Sequence, residues 1–132
     1  MTNEERNRKE NEKNWREDVS ADFLRTRGYL IVDNHSRPIK SRPRALLDLV
    51  VWHEKTDTMV AVAVDGREAL YDQYFDKYKY RLVSKKSKDN YSHIMKQWCK
   101  LNGWKGKWRI ATTRIYGTLE SGKRPVIQYI EY

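Results

Sequence analysis

The sequence predicts one α+β domain (α/β/α) in which helices pack on both faces of a central mixed sheet. Three observations support this class. Apolar residues recur at helical spacing in two segments, five short apolar runs have the length of strands, and no internal repeat or linker divides the chain. The 132 residues suit a single domain that can bury a core without disulfide bonds.

The first helix is predicted over 14–27. Asn14 is the expected N-cap, with Glu17 three residues later at the spacing of a capping box, and Gly28 follows the last turn. Residues 1–13 are polar and contain no aromatic residue, so we expect a flexible extension, either disordered or a fraying continuation of the helix. The apolar positions of the helix are Trp15, Val19, Phe23 and Leu24.

Three strands are predicted after this helix. The second of them is apolar throughout except for Asp48, and a hairpin turn at 54–57 joins it to the third. Asp65 and Gly66 are expected to end the third strand. The predicted strands cover 29–32, 45–52 and 59–64, and the first is expected to end at 33–35.

The second half of the sequence predicts one helix and two strands. The helix covers 85–101 and ends at Asn102 and Gly103. The tyrosine-rich segment 68–82 before it matches no single element. The two strands are predicted at 108–116 and 125–132, on either side of a polar loop at 117–124.

The chain is strongly basic. It has 27 Lys and Arg against 18 Asp and Glu, a formal net charge of +9, and should attract polyanions such as DNA or RNA. The N-terminus lacks the apolar core of a signal peptide, and no apolar run approaches the roughly 20 residues of a membrane span. Cys99 is the single cysteine, which excludes an intrachain disulfide and a cysteine zinc cluster. We therefore expect a cytoplasmic protein with no membrane partner.

The charge is unevenly distributed along the chain. Segment 36–44 is basic, 45–75 carries six acidic residues against two basic ones, and 76–109 carries eleven basic residues against two acidic ones. An acidic centre between basic flanks is typical of nucleases, in which carboxylates hold cations and Lys and Arg hold phosphates. The alternative is a solvated helix face together with a charged loop.

Asp48 is the residue with the clearest chemical implication. A carboxylate among Leu and Val is costly to bury unless it binds a cation or is fully hydrogen-bonded. The hairpin can bring Asp48 close to Asp65 at one end of the sheet, and Mg²⁺ commonly uses one or two carboxylates. The alternative is an aspartate that caps a turn or pairs with a nearby arginine.

Several segments resemble a known family when they are taken in order. These are EDVSADFLRTRGYLIVDN, ALLDLVVWHEKTDTMVAVAVDGR, and a basic helix ending in LNGW before WRIATTRIYG. Their order is similar to that of the YraN-like predicted endonucleases of the PD-(D/E)XK, restriction-endonuclease-like superfamily, which also includes Holliday-junction resolvases. The resemblance covers 14–132, the predicted domain, and implies a restriction-endonuclease-like fold.

The resemblance also implies an active site and shows where this chain departs from it. The family reads G-E-I-D-L-I-A on one strand and F-V-E-V-K on the next, where the Asp and Glu hold metal and the Lys activates water. Asp48 matches the strand Asp, and Glu17 matches a Glu of the first helix. Ala63 stands in place of the metal-binding Glu, and Asp65 stands in place of the Lys. The motif is therefore degenerate, and the catalytic set, if active, would be Asp48, Asp65 and Glu17, with Asp48 and Asp65 on the metal.

Two basic groups are candidates for contact with nucleic acid. The first lies on a loop stiffened by two prolines before the Asp48 strand, and the second is interleaved with tyrosines on which bases can stack. For each of these tyrosines taken singly, packing against the core is preferred over stacking with a base. The groups are Arg37, Lys40, Arg42 and Arg44, and then Lys77, Lys79, Arg81, Lys85, Lys86 and Lys88. By contrast, Trp98, Trp104 and Trp108 are predicted to be core residues.

Three functions are compatible with these features. The first is a nucleic-acid-binding protein of endonuclease-like fold whose cleavage is impaired or absent, which needs no cofactor. The second is an active endonuclease that uses Mg²⁺ or Mn²⁺ on branched or damaged DNA through relocated carboxylates. The third is a scaffold for protein interactions. DNA is the expected partner in preference to RNA, and the resemblance to resolvases implies a possible homodimer.

Overall fold

The computed structural model describes residues 2–67 and 85–132, so the tyrosine-rich segment and Lys77, Lys79 and Arg81 lie outside the described residues. Within these ranges the predicted order of elements is confirmed. The helices are α1 (Asn3–Thr26) and α2 (Lys85–Asn102). The strands are β1 (Tyr29–Ser36), β2 (Leu47–His53), β3 (Thr58–Arg67), β4 (Lys107–Tyr116) and β5 (Val126–Glu131).

The five strands form one mixed sheet in the order β1-β2-β3-β4-β5. All neighbouring pairs are antiparallel except β3 and β4, which are parallel. The hairpin between β2 and β3 is the one predicted: Asp57 has a φ of 49°, and its N–H donates to the Glu54 carbonyl at 3.2 Å. A parallel pair requires a long crossover, and α2 lies within the segment that connects β3 to β4.

The two helices cover opposite faces of the sheet. On one face Ala21 and Leu24 of α1 pack in a cluster with apolar residues of β2, β3 and β4. On the other face Met95 and Trp98 of α2 pack against a second cluster that includes Val50 of β2. This is the α/β/α arrangement expected of a restriction-endonuclease-like fold. Within the described ranges, no helix is long and apolar enough to cross a bilayer.

Helix α1 begins earlier than predicted. Its N-cap is Thr2, whose hydroxyl accepts from the Glu5 N–H at 3.1 Å, so the assignment of Asn14 as the N-cap was wrong. The helix runs unbroken through 3–13, the segment predicted as a flexible or fraying extension. A tertiary contact anchors this first half, because the Glu12 carboxylate accepts from the Leu119 N–H at 3.1 and 3.2 Å.

Two strand ends also differ from prediction. β1 continues through 33–35 with a register shift between Ile31 and Asp33, where the sequence predicted the strand to end. β3 continues through Asp65 and Gly66 to Arg67, because its backbone stays paired with β4 over the whole length of that strand. Polar and glycine residues indicate strand ends in a sequence, whereas ladder pairing with a neighbour decides where a strand ends.

Gly66 allows α1 to cross the end of β3 closely. A Cβ atom at this position would lie 2.1 Å from Nε and 2.4 Å from Cδ of Arg16. The Arg16 guanidinium also lies 3.5 Å from the Glu12 carboxylate, which links it to the residue that anchors the first half of α1. The missing side chain at Gly66 therefore leaves room for the Arg16 guanidinium over the end of this strand.

We expect Gly66→Ala to lower the free energy of unfolding by about 1–2 kcal/mol, because the added methyl group forces Arg16 out of its position. In an Arg16→Ala background the same substitution should cost nothing or be slightly stabilising, since alanine is better than glycine in a strand. Urea unfolding of the wild type, both single variants and the double variant measures this. Equal costs of Gly66→Ala in the two backgrounds would contradict the contact.

Candidate functional site

Asp48 lies near the beginning of β2, with its carboxylate largely shielded from solvent. Its Oδ2 accepts a hydrogen bond from the Val64 N–H of β3 at 2.9 Å. The antiparallel register pairs Leu49 of β2 with Val62 of β3. Asp48, the residue before Leu49, therefore lies beside Ala63, the residue after Val62. The aspartate and the position that holds Glu in the resembled motif are therefore neighbours on adjacent strands.

Glu17 of α1 is the acidic group whose charge acts on Asp48. Its side chain is only 11% exposed, and its Oε2 lies 2.5 Å from Nε2 of His35 on β1. Among the described residues its other oxygen, Oε1, is buried without a hydrogen-bond partner. The structure thus brings together two of the three predicted catalytic residues, Glu17 and Asp48, and adds a histidine.

The surroundings of Asp48 disfavour its charged form. Burial raises the pKa of Asp48 above its usual value, and the Val64 N–H bond partly opposes that rise. The Glu17 carboxylate raises this pKa further, while Lys13 and His35 act in the opposite direction. A carboxyl group that is buried beside a second carboxylate is a group whose ionisation a bound cation would favour.

Tyr91 approaches Asp48 from α2. Burial raises the pKa of the Tyr91 hydroxyl, and the Asp48 carboxylate raises it further, while the nearby Asp48 backbone opposes the rise. Tyr91 packs against the core on this face, as the preferred interpretation of the tyrosines expected. It therefore closes the site on one side and is not available to a stacked base.

Asp65 has a different environment from Asp48. It lies opposite Arg114 in the parallel register of β3 and β4, and its Oδ2 is 3.5 Å from Nε of Arg114. Arg114 is only 1% exposed. A buried cation from the next strand thus accompanies the carboxylate that stands where the resembled motif has lysine. In the described parts of the chain no three His, Cys, Asp or Glu side chains form a group that could hold a metal ion.

Ala63 lines a small cavity of about 110 Å³. The Ala63 methyl group is short, and the space next to it extends toward α2 and β4. The other lining residues are Ser87, Lys88, Tyr91, Ile110, Ala111, Thr112 and Tyr132. The cavity can accommodate part of a larger side chain at this position.

The predicted basic loop lies immediately before β2. Arg37, Lys40, Arg42 and Arg44 are all exposed. Arg37 donates to the Pro43 carbonyl across the loop, and Arg42 Nη2 donates to Asn90 Oδ1 of α2 at 3.4 Å. The loop thus contacts itself at Pro43 and α2 at Asn90.

The beginning of α2 continues the basic character of this loop. Lys85 and Lys86 are exposed, and Lys88 Nζ lies 5.7 Å from the centre of the Tyr132 ring. The first turn of α2 contains no acidic residue. Three lysines that the sequence proposed for phosphate contact therefore lie at the end of α2 whose Asn90 contacts the basic loop.

Three charged residues of the site have little signal in the sequence. Local patterns place Lys13 in the extension, His35 at a strand end, and Arg114 in an ordinary strand. The only sequence signal for Arg114 is a cation within an otherwise uncharged run, IATTRIYG. Their roles depend on strand pairing and on the length of α1, which local patterns do not show.

We expect Asp48→Asn to stabilise the protein at pH 7. Because the folded-state pKa of Asp48 is raised, its ionisation costs stability as the pH rises from near 3.8 through the folded pKa. Asparagine never ionises, and its Oδ1 can still accept from Val64. Urea unfolding should show the stabilisation at pH 7 and its loss at pH 3.5, with Asp18→Asn on exposed surface as the control. A variant equally destabilised at both pH values would contradict this.

No protein-family model matches this sequence, and no curated protein does.

Proposed function

We propose that the chain binds nucleic acid, preferably DNA, at the Asp48 end of the sheet, with impaired or absent cleavage. The observation that supports this most is the contact of Arg42 with Asn90, which joins the basic loop to the lysine-rich beginning of α2. The basic loop and the lysines described at this end of α2, Lys85, Lys86 and Lys88, would thereby act as one surface near Asp48. Such a surface suits the regularly spaced phosphates of a nucleic acid backbone.

Helix electrostatics support an anionic partner for this surface. The beginning of a helix carries a partial positive charge, so lysines there are unfavourable and acidic residues are preferred. Lys85, Lys86 and Lys88 occupy this end of α2 without an acidic residue in the first turn. A bound phosphate would offset this unfavourable charge.

The altered motif supports binding without efficient cleavage. Ala63 provides no ligand beside Asp48, and Asp65 is paired with Arg114. Phosphoryl transfer depends on cations placed where negative charge develops, so a carboxylate in place of lysine is expected to slow it strongly. The buried free thiol of Cys99 is compatible with a reducing compartment such as the cytoplasm.

A second candidate function, metal-dependent cleavage, is favoured by one observation. Glu17 Oε1 is buried and, within the described residues, has no hydrogen-bond partner, close to the Asp48 carboxylate. Glu17 and Asp48 are the residues that would hold Mg²⁺ or Mn²⁺, and the ion would supply a Lewis acid for water attack on a phosphodiester. This candidate predicts that wild-type protein cuts DNA with Mn²⁺ and that Asp48→Asn does not.

We expect Lys40→Glu combined with Arg44→Glu to lower affinity for duplex DNA by more than about tenfold at low salt. Removing each phosphate-binding cation should reduce the slope of log Kobs against log salt by roughly 0.9. Fluorescence anisotropy with a labelled duplex measures both quantities. The control is Lys55→Glu with Lys123→Glu, which changes net charge equally at exposed positions elsewhere. Equal decreases in affinity in the two double variants would indicate a non-specific charge effect and contradict the surface.

We expect Ala63→Glu to increase affinity for Mn²⁺ at least tenfold over the wild type, because it adds a carboxylate beside Asp48 with the cavity as space for its chain. Ala63→Gln is the matched neutral control, and adding Asp48→Asn should abolish the gain. Isothermal titration calorimetry measures the affinities. Identical Mn²⁺ binding by the Glu and Gln variants would mean that position 63 does not face a cation site.

A further inference from the structure

A second basic surface lies at the opposite end of α2 from the basic loop. It is a shallow groove of about 510 Å³ between the end of this helix and the beginning of β4. An 18-residue helix is about 27 Å long, so the groove is well separated from Asp48. Its lining residues are Lys96, Gln97, Cys99, Lys100, Gly103, Trp104, Lys105, Gly106 and Trp108.

Trp104 is held rigidly at this groove by the way α2 ends. Gly103 has a φ of 69°, and the Trp104 N–H donates to the Cys99 carbonyl at 2.9 Å, as in a Schellman motif. The indole N–H donates to the Lys107 carbonyl at 3.0 Å. Gly106 lies against the ring, since a Cβ there would be 2.7 Å from Cζ2 of Trp104. The ring is therefore positioned before any ligand arrives.

The two tryptophans of the groove are only half-buried. Trp104 and Trp108 pack against the core cluster and also line the groove, whereas Trp98 is 2% exposed and belongs to the core. The prediction that these three residues belong to the core is confirmed for Trp98, and Trp104 and Trp108 pack against the core while they stay partly exposed. Rigid, partly exposed indole rings are suitable platforms for stacking.

The charge of the groove has one sign. Lys96 and Lys100 are one helical turn apart on α2, and Lys105 follows on the loop. The lining residues described include no carboxylate. The helix dipole accounts for a lysine near the end of a helix, but it does not account for Lys105 or for the indole rings beside it.

We propose that this groove binds a single-stranded nucleic acid segment. Bases stack on Trp104 and Trp108, and the three lysines contact the phosphates on either side. The proposal rests on the proposed nucleic-acid binding but assigns it a second site with a different preference. A duplex keeps its base faces stacked inside the helix, so only a single strand can use the indole rings.

The test compares two labelled oligonucleotides, a thymidine homopolymer and a duplex of mixed sequence, by anisotropy and by quenching of tryptophan fluorescence. Trp104→Leu should lower affinity for the single strand roughly tenfold and leave duplex affinity unchanged. Lys100→Ala and Lys105→Ala should each reduce the salt slope for the single strand by about 0.7. Trp15→Leu and Lys9→Ala are the matched controls away from the groove.

Gly106→Ala keeps every charge and every ring but displaces Trp104, so it tests the groove even if Trp104→Leu unfolds. It should also weaken single-strand binding and leave thermal unfolding within a few degrees of the wild type. The groove is overturned if neither Trp104→Leu nor Gly106→Ala changes the affinity for the single strand. It is also overturned if these variants lower the affinity for both oligonucleotides equally. If polyglutamate displaces the labelled single strand and unlabelled thymidine homopolymer does not, the groove binds an acidic peptide and the proposal is overturned.

The same data separate the two proposals. In one outcome the Lys40→Glu, Arg44→Glu variant loses duplex affinity, and the groove variants bind the single strand as well as the wild type does. This outcome supports the basic loop as a binding surface and overturns the groove alone. Absence of binding to both oligonucleotides at low salt overturns both.

Discussion

The central strand β3 is the constraint on which the rest of the structure depends. It is hydrogen-bonded on both edges, antiparallel to β2 and parallel to β4, and helices cover both of its faces. An antiparallel neighbour needs only a hairpin, but a parallel neighbour needs a crossover, so α2 must return the chain to the same end of the sheet. This topology places the beginning of β2 next to the end of β3. It also sends the two ends of α2 to opposite ends of the sheet.

The polar contacts of Asp48 depend on its place at the beginning of β2, next to the end of β3. A carboxylate among apolar strands must be hydrogen-bonded or balanced by charge, and here it receives one backbone N–H while Lys13 and His35 lower its pKa. The Glu17 carboxylate has the opposite effect and raises the pKa of Asp48. Two acidic groups held close in a shielded place cost stability, which is an arrangement more typical of functional sites than of structural ones.

The basic residues divide into two surfaces with different chemistry. The loop before β2 and the described beginning of α2 offer exposed cations, and Lys88 lies over the Tyr132 ring. Cations of this kind suit contact with a phosphate backbone irrespective of base. The groove at the other end of α2 combines lysines with two indole rings, of which that of Trp104 is held by the Schellman motif, Lys107 and Gly106. One helix therefore connects the surface proposed for phosphate backbones to the groove proposed for bases.

The sequence by itself determined the order of the described elements, the second half of α1, the helix α2, the hairpin and the isolated Asp48. Periodicity, turn chemistry and charge are local properties that a short window reveals. Only the tertiary structure decided how the first half of α1 is anchored, through a contact between Glu12 and Leu119, which lie 107 positions apart in the sequence. It also decided that Asp48 meets Glu17 and that Asp65 pairs with Arg114. The partners of a strand residue depend on strand order, register and helix packing, which are settled by contacts between distant segments and leave no periodic trace in the sequence.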